Sequence, residues 1–340
     1  MQEMLTEEYI RKVWDEMGAH VKQTTFQSTR LLDEALGAEV TLASETLQIT
    51  GSFKFRAAYN LLRELDTENV ITMSSGNFGQ AVAYACMLLR KNCTVIMPAN
   101  SSKSKQANIL SYGGKVLLID TSTRSRQSYI SEILAEHPDA FYASPYDHYR
   151  VVAGNSTLGK EIFEHFGPDG IDYVLCPVGG GGLIAGIIVA RDLLAPNVEV
   201  IGAEPLLGND AALSLRSGEL VTLPAEPNTI ADGTRTASLG DINWEIVRKG
   251  LRRIIEVPED KIAEGLRTLY AKANLKVEPT AALSVGAMLT QPAEFAGKRV
   301  CCIVSGGNVD TDVYVKVLTG ETRAEEEAKP LERVATGQYL

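Results

Sequence analysis

The sequence predicts an α/β fold with mostly parallel strands and one shared ligand cleft. Three observations carry this prediction. Short apolar runs alternate with longer amphipathic stretches. Gly- and Ser-rich pieces follow three of those runs. A chain of 340 residues that is 45% hydrophobic has material for one large domain or two closely packed ones.

The runs that read as strands are Val70–Met73, Thr94–Pro98, Lys115–Asp120, Tyr173–Val178, Val198–Glu204 and Arg299–Ser305. Helical patterns lie between most of them, for example Gly79–Leu89 and Ser104–Tyr112. In parallel sheets ligands bind at the carboxyl ends of the strands. The pieces Ser74–Gly79, Gly179–Gly182 and Ser305–Asn308 fall at those ends, which points to a single cleft.

Bulk properties exclude several classes. A net charge of −10 disfavours nucleic acid and anionic membranes as partners. No apolar run approaches the roughly 20 residues that a membrane-spanning helix needs. The start, MQEMLTEEYI, is acidic and polar, unlike a signal peptide. The five cysteines are Cys86, Cys93, Cys176, Cys301 and Cys302; their number is odd and their spacing shows no disulfide framework. A reducing, cytoplasmic setting is expected.

Four segments can carry chemistry. In Gly51-Ser52-Phe53-Lys54-Phe55-Arg56, Lys54 is either a surface lysine near a turn or a desolvated amine able to form an imine with a carbonyl cofactor. Gly179-Gly180-Gly181-Gly182-Leu183 runs from a strand into an apolar helix. The run reads as a flexible tight turn or as an anion site built from backbone amides free of side chains, and the chain entropy that four glycines cost without an evident packing return favours the anion site. Ser74-Ser75-Gly76-Asn77-Phe78-Gly79 reads as a capped helix start or as a second anion site for a substrate carboxylate. Ser305-Gly306-Gly307-Asn308 reads as a Gly-rich turn, or as a hydroxyl facing a ring nitrogen.

Taken in order, LQITGSFKFRAA, SSGNFGQAVA, VGGGGLIAG, TIADGTRT, VEPTAA and VSGGNVD resemble the fold-type II pyridoxal 5′-phosphate (PLP) enzymes, in the serine/threonine dehydratase and serine racemase branch. The resemblance spans roughly residues 20–318. It implies a tryptophan synthase β-like architecture of two open twisted α/β domains with the cofactor between them. Residues 1–68 plus 148–320 would form the large cofactor-binding domain, 69–147 the small domain and 321–340 a tail. A homodimer acting on a small amino acid, without an appended regulatory domain, is implied as well.

By the same resemblance Lys54 would carry PLP as an imine and serve as the base. Phe53 would pack on the ring, Asn77 would bond the ring hydroxyl, Gly179–Gly182 and Leu183 would wrap the phosphate, and Ser305 would face the ring nitrogen. A serine does not hold a proton there as an aspartate would, which favours loss of a β-hydroxyl over transamination. The implied reaction converts a β-hydroxy amino acid of the serine, threonine or 3-hydroxyaspartate type to a 2-oxo acid and ammonia.

Ser74, Ser75, Gly76, Asn77, Arg126 and Asn155 would contact substrate. Ser75 matches the opposite-face base of the racemase-like members, so racemisation stays open; its other reading is a carboxylate hydrogen-bonder. Arg126 would pair a second substrate carboxylate, or stand solvated on a helix. Glu204, Gly208 and Asp210 resemble a divalent-cation loop suited to Mg²⁺ or a similar ion, or are two unliganded acids in a loop. Three departures bear on substrate choice: Phe78 for the usual histidine, Asn155-Ser156 for Gln-Gly, and Thr24-Thr25-Phe26 without the early proline. A β-replacement enzyme resembling the cysteine synthases is a rival, as is a catalytically inactive PLP-binding module. Phe53, Phe55 and the glycine run argue against the first, and the intact Lys54, Asn77 and Ser305 against the second.

Overall fold

The computed structural model describes residues 4–321 apart from 75, 100, 102 and 121–125 and the side chains of 126 and 127. Ser75, the Arg126 side chain and all but the first residue of the expected tail therefore lie outside the described residues. Ten strands form two sheets among those described. In chain order they are β1 (Thr25–Gln27), β2 (Glu39–Ser44), β3 (Asn69–Met73), β4 (Asn92–Pro98), β5 (Lys115–Ile119), β6 (Phe141–Tyr142), β7 (Tyr173–Pro177), β8 (Glu199–Pro205), β9 (Ile254–Val257) and β10 (Arg299–Val304).

The larger sheet has the order β1-β2-β10-β7-β8-β9, parallel throughout except for β1 against β2. The smaller, all-parallel sheet has the order β5-β4-β3-β6 and comes from residues 69–142, between strands of the larger one. Both expected strands and expected helices recur within two residues, and β1, β2, β6 and β9 are additions to the sequence reading.

Burial explains why β10 reads as an unbroken apolar run. Val300, Cys302 and Val304 join one core, whereas Cys301 and Ile303 join another on the opposite face. Alternate side chains of a strand point to opposite faces, so a parallel sheet covered on both sides needs apolar residues at every position. The helices Lys54–Leu62, Tyr149–Phe166 and Gly182–Leu194 cover the face of Cys301 and Ile303, and Glu259–Ala273 and Leu283–Thr290 cover the face of Val300, Cys302 and Val304. All five cysteines are buried and unbridged; the neighbours Cys301 and Cys302 face apart.

One polar cluster lies among the helices on the Cys301 and Ile303 face. Arg56 is fully buried, and its guanidinium meets Glu45 at 2.8 and 3.0 Å and Glu161 at 2.9 Å through two nitrogens. It also donates to Thr157 Oγ1 (3.0 Å), Thr24 Oγ1 (3.0 Å) and the Lys22 carbonyl (3.1 Å). Burial alone would lower the Arg56 pKa, but the two carboxylates raise it above its ordinary value. Burial would likewise raise Glu161, and Arg56 overrides it, holding that carboxyl below its usual range. The pairs fix one helix against three other segments, an arrangement whose value depends on every member being satisfied.

Replacing one member should therefore cost far more than a surface pair. Arg56→Met leaves Glu45 buried without its cation, and should lower unfolding free energy by about 3–5 kcal/mol in urea titration. A loss below about 1 kcal/mol, the range of exposed pairs, would show that the cluster does not hold these segments together.

Candidate active site

Lys54 is the first residue of its helix, and the preceding loop fixes where that helix begins. Thr50 and Gly51 both have positive φ (65° and 73°), a strained choice for the β-branched Thr50. The loop is tied to the segment after β10: Phe53 N–H donates to the Ser305 carbonyl (3.0 Å), Gly307 N–H to the Gly51 carbonyl (3.0 Å), and Asn308 Nδ2 to the Thr50 carbonyl (2.7 Å). Ser52 and Gly306 form an isolated bridge. Lys54 and Ser305, distant in sequence, thus share one backbone scaffold.

That scaffold opens on a cavity of about 620 Å³ at the carboxyl ends of β3, β7 and β10. Its walls include Phe53, Lys54, Ser74, Gly76, Asn77 and Phe78 together with Gly179–Gly182, Leu183 and Ser305. The three expected loops therefore share one cleft. The Lys54 ammonium donates to the Pro145 carbonyl (3.0 Å) and lies over the rings of Phe53 (4.9 Å) and Phe78 (5.7 Å). Burial lowers its pKa to about 8, against a smaller opposing pull from Glu278.

The glycine run meets the helix Gly182–Leu194 with Gly181 at φ 87°, a left-handed conformation that glycine adopts without strain. A Cβ on Gly180 would fall 2.3 Å from the Tyr146 ring, so a larger residue has no room there. The first N–H groups of this helix lack intrahelical acceptors, and at the cavity wall they could hold an anion. The Ser305 hydroxyl is buried at the same cavity without a hydrogen-bond partner. The glycine cradle, amine and orphaned hydroxyl suit a phosphorylated carbonyl cofactor with a weakly basic ring nitrogen.

Asn77 is held from two sides. Its Nδ2 donates to both oxygens of Glu278 (2.9 and 2.8 Å), and its Oδ1 accepts from Asn308 Nδ2 (2.9 Å). Glu278 is buried; desolvation and Asp232 raise its pKa to about 7 despite Asn77, Lys105 and Lys54. Lys105 pairs with Asp232 at 3.0 Å on the cavity wall. The residue reading did not single out Glu278, Tyr146, Lys105 or Asp232. Glu278 and Asp232 sit inside the quoted VEPTAA and TIADGTRT, and a carboxylate in a short, otherwise apolar motif is the signal that could have marked Glu278.

One expectation changes. Asn155, expected at the substrate, does not line the cavity. It is 1% exposed and donates from Nδ2 to the Gly182 carbonyl (2.9 Å), because its helix packs behind the glycine run. Glu204, Gly208 and Asp210 lie away from the cavity walls. Both Glu204 oxygens accept helix N–H groups, from Ala211 (3.0 Å) and Ala212 (2.9 Å), whereas Asp210 Oδ2 is buried and unpartnered. Burial raises Asp210 to about 7. Among the described residues no three His, Cys, Asp or Glu side chains gather as a metal site.

Known proteins resemble this chain closely. The family model described as "Pyridoxal-phosphate dependent enzyme" matches residues 18–306. L-threo-3-hydroxyaspartate ammonia-lyase of Saccharomyces cerevisiae is 36% identical over 306 residues, covering 89% of this chain and 93% of its own. Serine racemase of Schizosaccharomyces pombe is 36% identical over 301 residues, covering 87% and 92%. The structure of maize serine racemase superposes with a TM-score of 0.83 at 31% identity, covering 92% of this chain and 96% of that one.

The Lys54–Glu278 pair gives a pH dependence with a definite sign. The free amine grows as pH rises through about 8, so the rate at which cofactor-free protein captures PLP should rise over that window, followed by absorbance. Glu278→Gln removes a charge that favours the ammonium, so the curve should move to lower pH. An unmoved curve, or one moved upward, would contradict the pairing.

Proposed function

Since the chain belongs to the pyridoxal-phosphate dependent enzymes, in the branch of the serine/threonine dehydratases and serine racemases, we propose that it is an ammonia-lyase converting a β-hydroxy amino acid to a 2-oxo acid and ammonia. One observation carries this reading: the Lys54 amine, lowered to about 8 by burial, lies on the wall of a cavity that also holds the glycine run. Such an amine can both hold a carbonyl cofactor and accept a proton at neutral pH. Pyridoxal 5′-phosphate, when bound, supplies the electron sink that acidifies the α-carbon of an attached amino acid.

The remaining work falls to the chain. Lys54 Nζ takes the α-proton. Backbone N–H groups at Gly181–Leu183 bind the phosphate. Phe53 and Phe78 exclude water, and Asn77, held by Glu278, orients the ring oxygen. Ser305 Oγ offers the ring nitrogen a neutral partner and leaves it unprotonated, which favours β-elimination. Ser74, Ser75 and Gly76 take the substrate carboxylate at the start of the helix Asn77–Leu89. The likeness to the yeast hydroxyaspartate lyase makes a dicarboxylic substrate the first choice, with Arg126 proposed, on resemblance, for its second carboxylate.

Racemisation is the second reading, supported by Ser75 and by the likeness to serine racemases. We also take residues 69–147 as a small domain and 1–68 plus 148–320 as the large one. The working unit is taken as a homodimer, on resemblance alone. A cytoplasmic setting fits the five buried, unbridged cysteines, and among the described residues no helix is long and apolar enough to cross a membrane.

A substrate screen tests the reaction. L-threo-3-hydroxyaspartate should yield a 2-oxo acid and ammonia, with L-serine and L-threonine as slower comparisons, and Lys54→Ala should abolish turnover. Ser75→Ala should slow L-elimination by no more than about tenfold, roughly 1.4 kcal/mol in barrier, while abolishing any racemisation seen by chiral chromatography. Full activity in Lys54→Ala would end the reading.

A divalent cation is proposed separately, held by Glu204, Asp210 and the Gly208 carbonyl; the orphaned Asp210 Oδ2 supports it. It would neutralise two buried acids rather than touch the reaction. A chelator should lower the melting temperature and Mg²⁺ should restore it. No response, with no metal in elemental assay, would leave the loop to its helix-capping role.

A further inference from the structure

Two asparagines outside the cavity wall hold alternate carbonyls of the glycine run. Asn243, fully buried, donates from Nδ2 to the Gly180 carbonyl at 2.7 Å and to the Tyr146 carbonyl at 3.1 Å. Asn155 donates to the Gly182 carbonyl at 2.9 Å. Between them, the Gly181 carbonyl accepts the helical N–H of Ala185 (2.9 Å), and Gly240 N–H adds a second bond to Gly180 (3.1 Å). Three successive peptide units are thus fixed by their oxygens.

From this geometry we propose that Asn155 and Asn243 are positioning residues for the anion cradle, an inference that rests on the cofactor reading above. In a planar trans peptide the C=O and the following N–H point in opposite directions. Tying the oxygens of Gly180, Gly181 and Gly182 behind the loop turns the N–H groups of Gly181, Gly182 and Leu183 to the other side, where those residues line the cavity. Glycines otherwise sample the widest range of backbone conformations, so an unclamped run of four would bear an ordering cost at the moment of binding.

Each asparagine leaves its own Oδ1 buried and without a partner. An unsatisfied buried acceptor destabilises the fold, so the amides are poor choices for packing alone. Their orientation is set by chemistry: Gly180, Tyr146 and Gly182 present only carbonyl oxygens, so only the NH₂ end can face them. Asn243 is itself held in place, because Asp147 caps the start of its helix through the N–H groups of Asp241 (3.2 Å) and Ile242 (3.0 Å).

The clamp acts on a phosphate and not on a ring, and that distinction supplies the test. Dissociation constants for PLP and for pyridoxal, which lacks the phosphate, are measured by absorbance on the full chain after removal of cofactor. Asn243→Ala and Asn155→Ala should each weaken PLP by roughly tenfold while leaving pyridoxal within about twofold. Inorganic phosphate should also protect the variants less well against PLP capture. If the alanine variants do not fold by circular dichroism, Asn243→Asp at pH 8, isosteric but without the donor, should give the same selective loss. Equal weakening of PLP and pyridoxal, or no weakening of either, overturns the clamp and leaves the cofactor reading standing. A wild-type chain that binds neither compound overturns both.

Discussion

The Arg56 guanidinium organises much of this molecule from a position two residues beyond Lys54. A planar cation with five donors, buried in the core, must find acceptors in its own plane, and here they come from three segments distant in sequence. Glu45 directly follows β2, Thr157 and Glu161 lie on the helix behind the glycine run, and Thr24 and Lys22 precede β1. Satisfying that one group sets where the helix Lys54–Leu62 lies against the larger sheet. The amine at its first residue is thereby delivered to the carboxyl edge of the strands.

A second constraint acts at the other end of the same helix start. The strained Thr50–Gly51 turn and the segment Ser305–Asn308 are bonded to each other through both main chain and side chain. Asn308 then reaches on to Asn77, and Asn77 to Glu278. The chain of contacts links pieces of both sheets around the cavity. Its polar members are almost all partnered, which is how charged groups persist in so dry a place. Ser305, Ser52 and Thr50 are exceptions, with hydroxyls left unbonded.

Legibility in the sequence followed burial and locality. The strands β3, β4, β5, β7, β8 and β10 announce themselves as apolar runs long enough to stand out from their surroundings. β1 and β6 span three and two residues, too few to show a period, and β9 has only four. β2, EVTLAS, is missed because polar and small residues interrupt it where the sheet nears its edge. In the site, Lys54, Asn77, the glycine run and Ser305 are visible because each sits in a compact motif. Glu278 meets Asn77 across 201 residues, and Asn243 meets Gly180 across 63; nothing local marks either partner. Asn155 was placed one layer too far forward, since a motif tells which residues are near a ligand but not on which side of the backbone they stand.

The thiols behind β10 have a practical meaning of their own. Cys301 and Cys302 look into different cores, Cys176 lies on the neighbouring strand, and Cys86 and Cys93 belong to the smaller sheet's side of the molecule, all at 6% exposure or less. Burial raises the Cys301 thiol to about 12 and also pushes Cys176 and Cys302 well above the ordinary thiol value, so little thiolate forms at neutral pH even where a reagent could reach. A thiol-directed dye would therefore register not the native molecule but its rare openings, sheet by sheet. The chain carries built-in probes of its local unfolding, distributed across both halves and silent while the fold is closed.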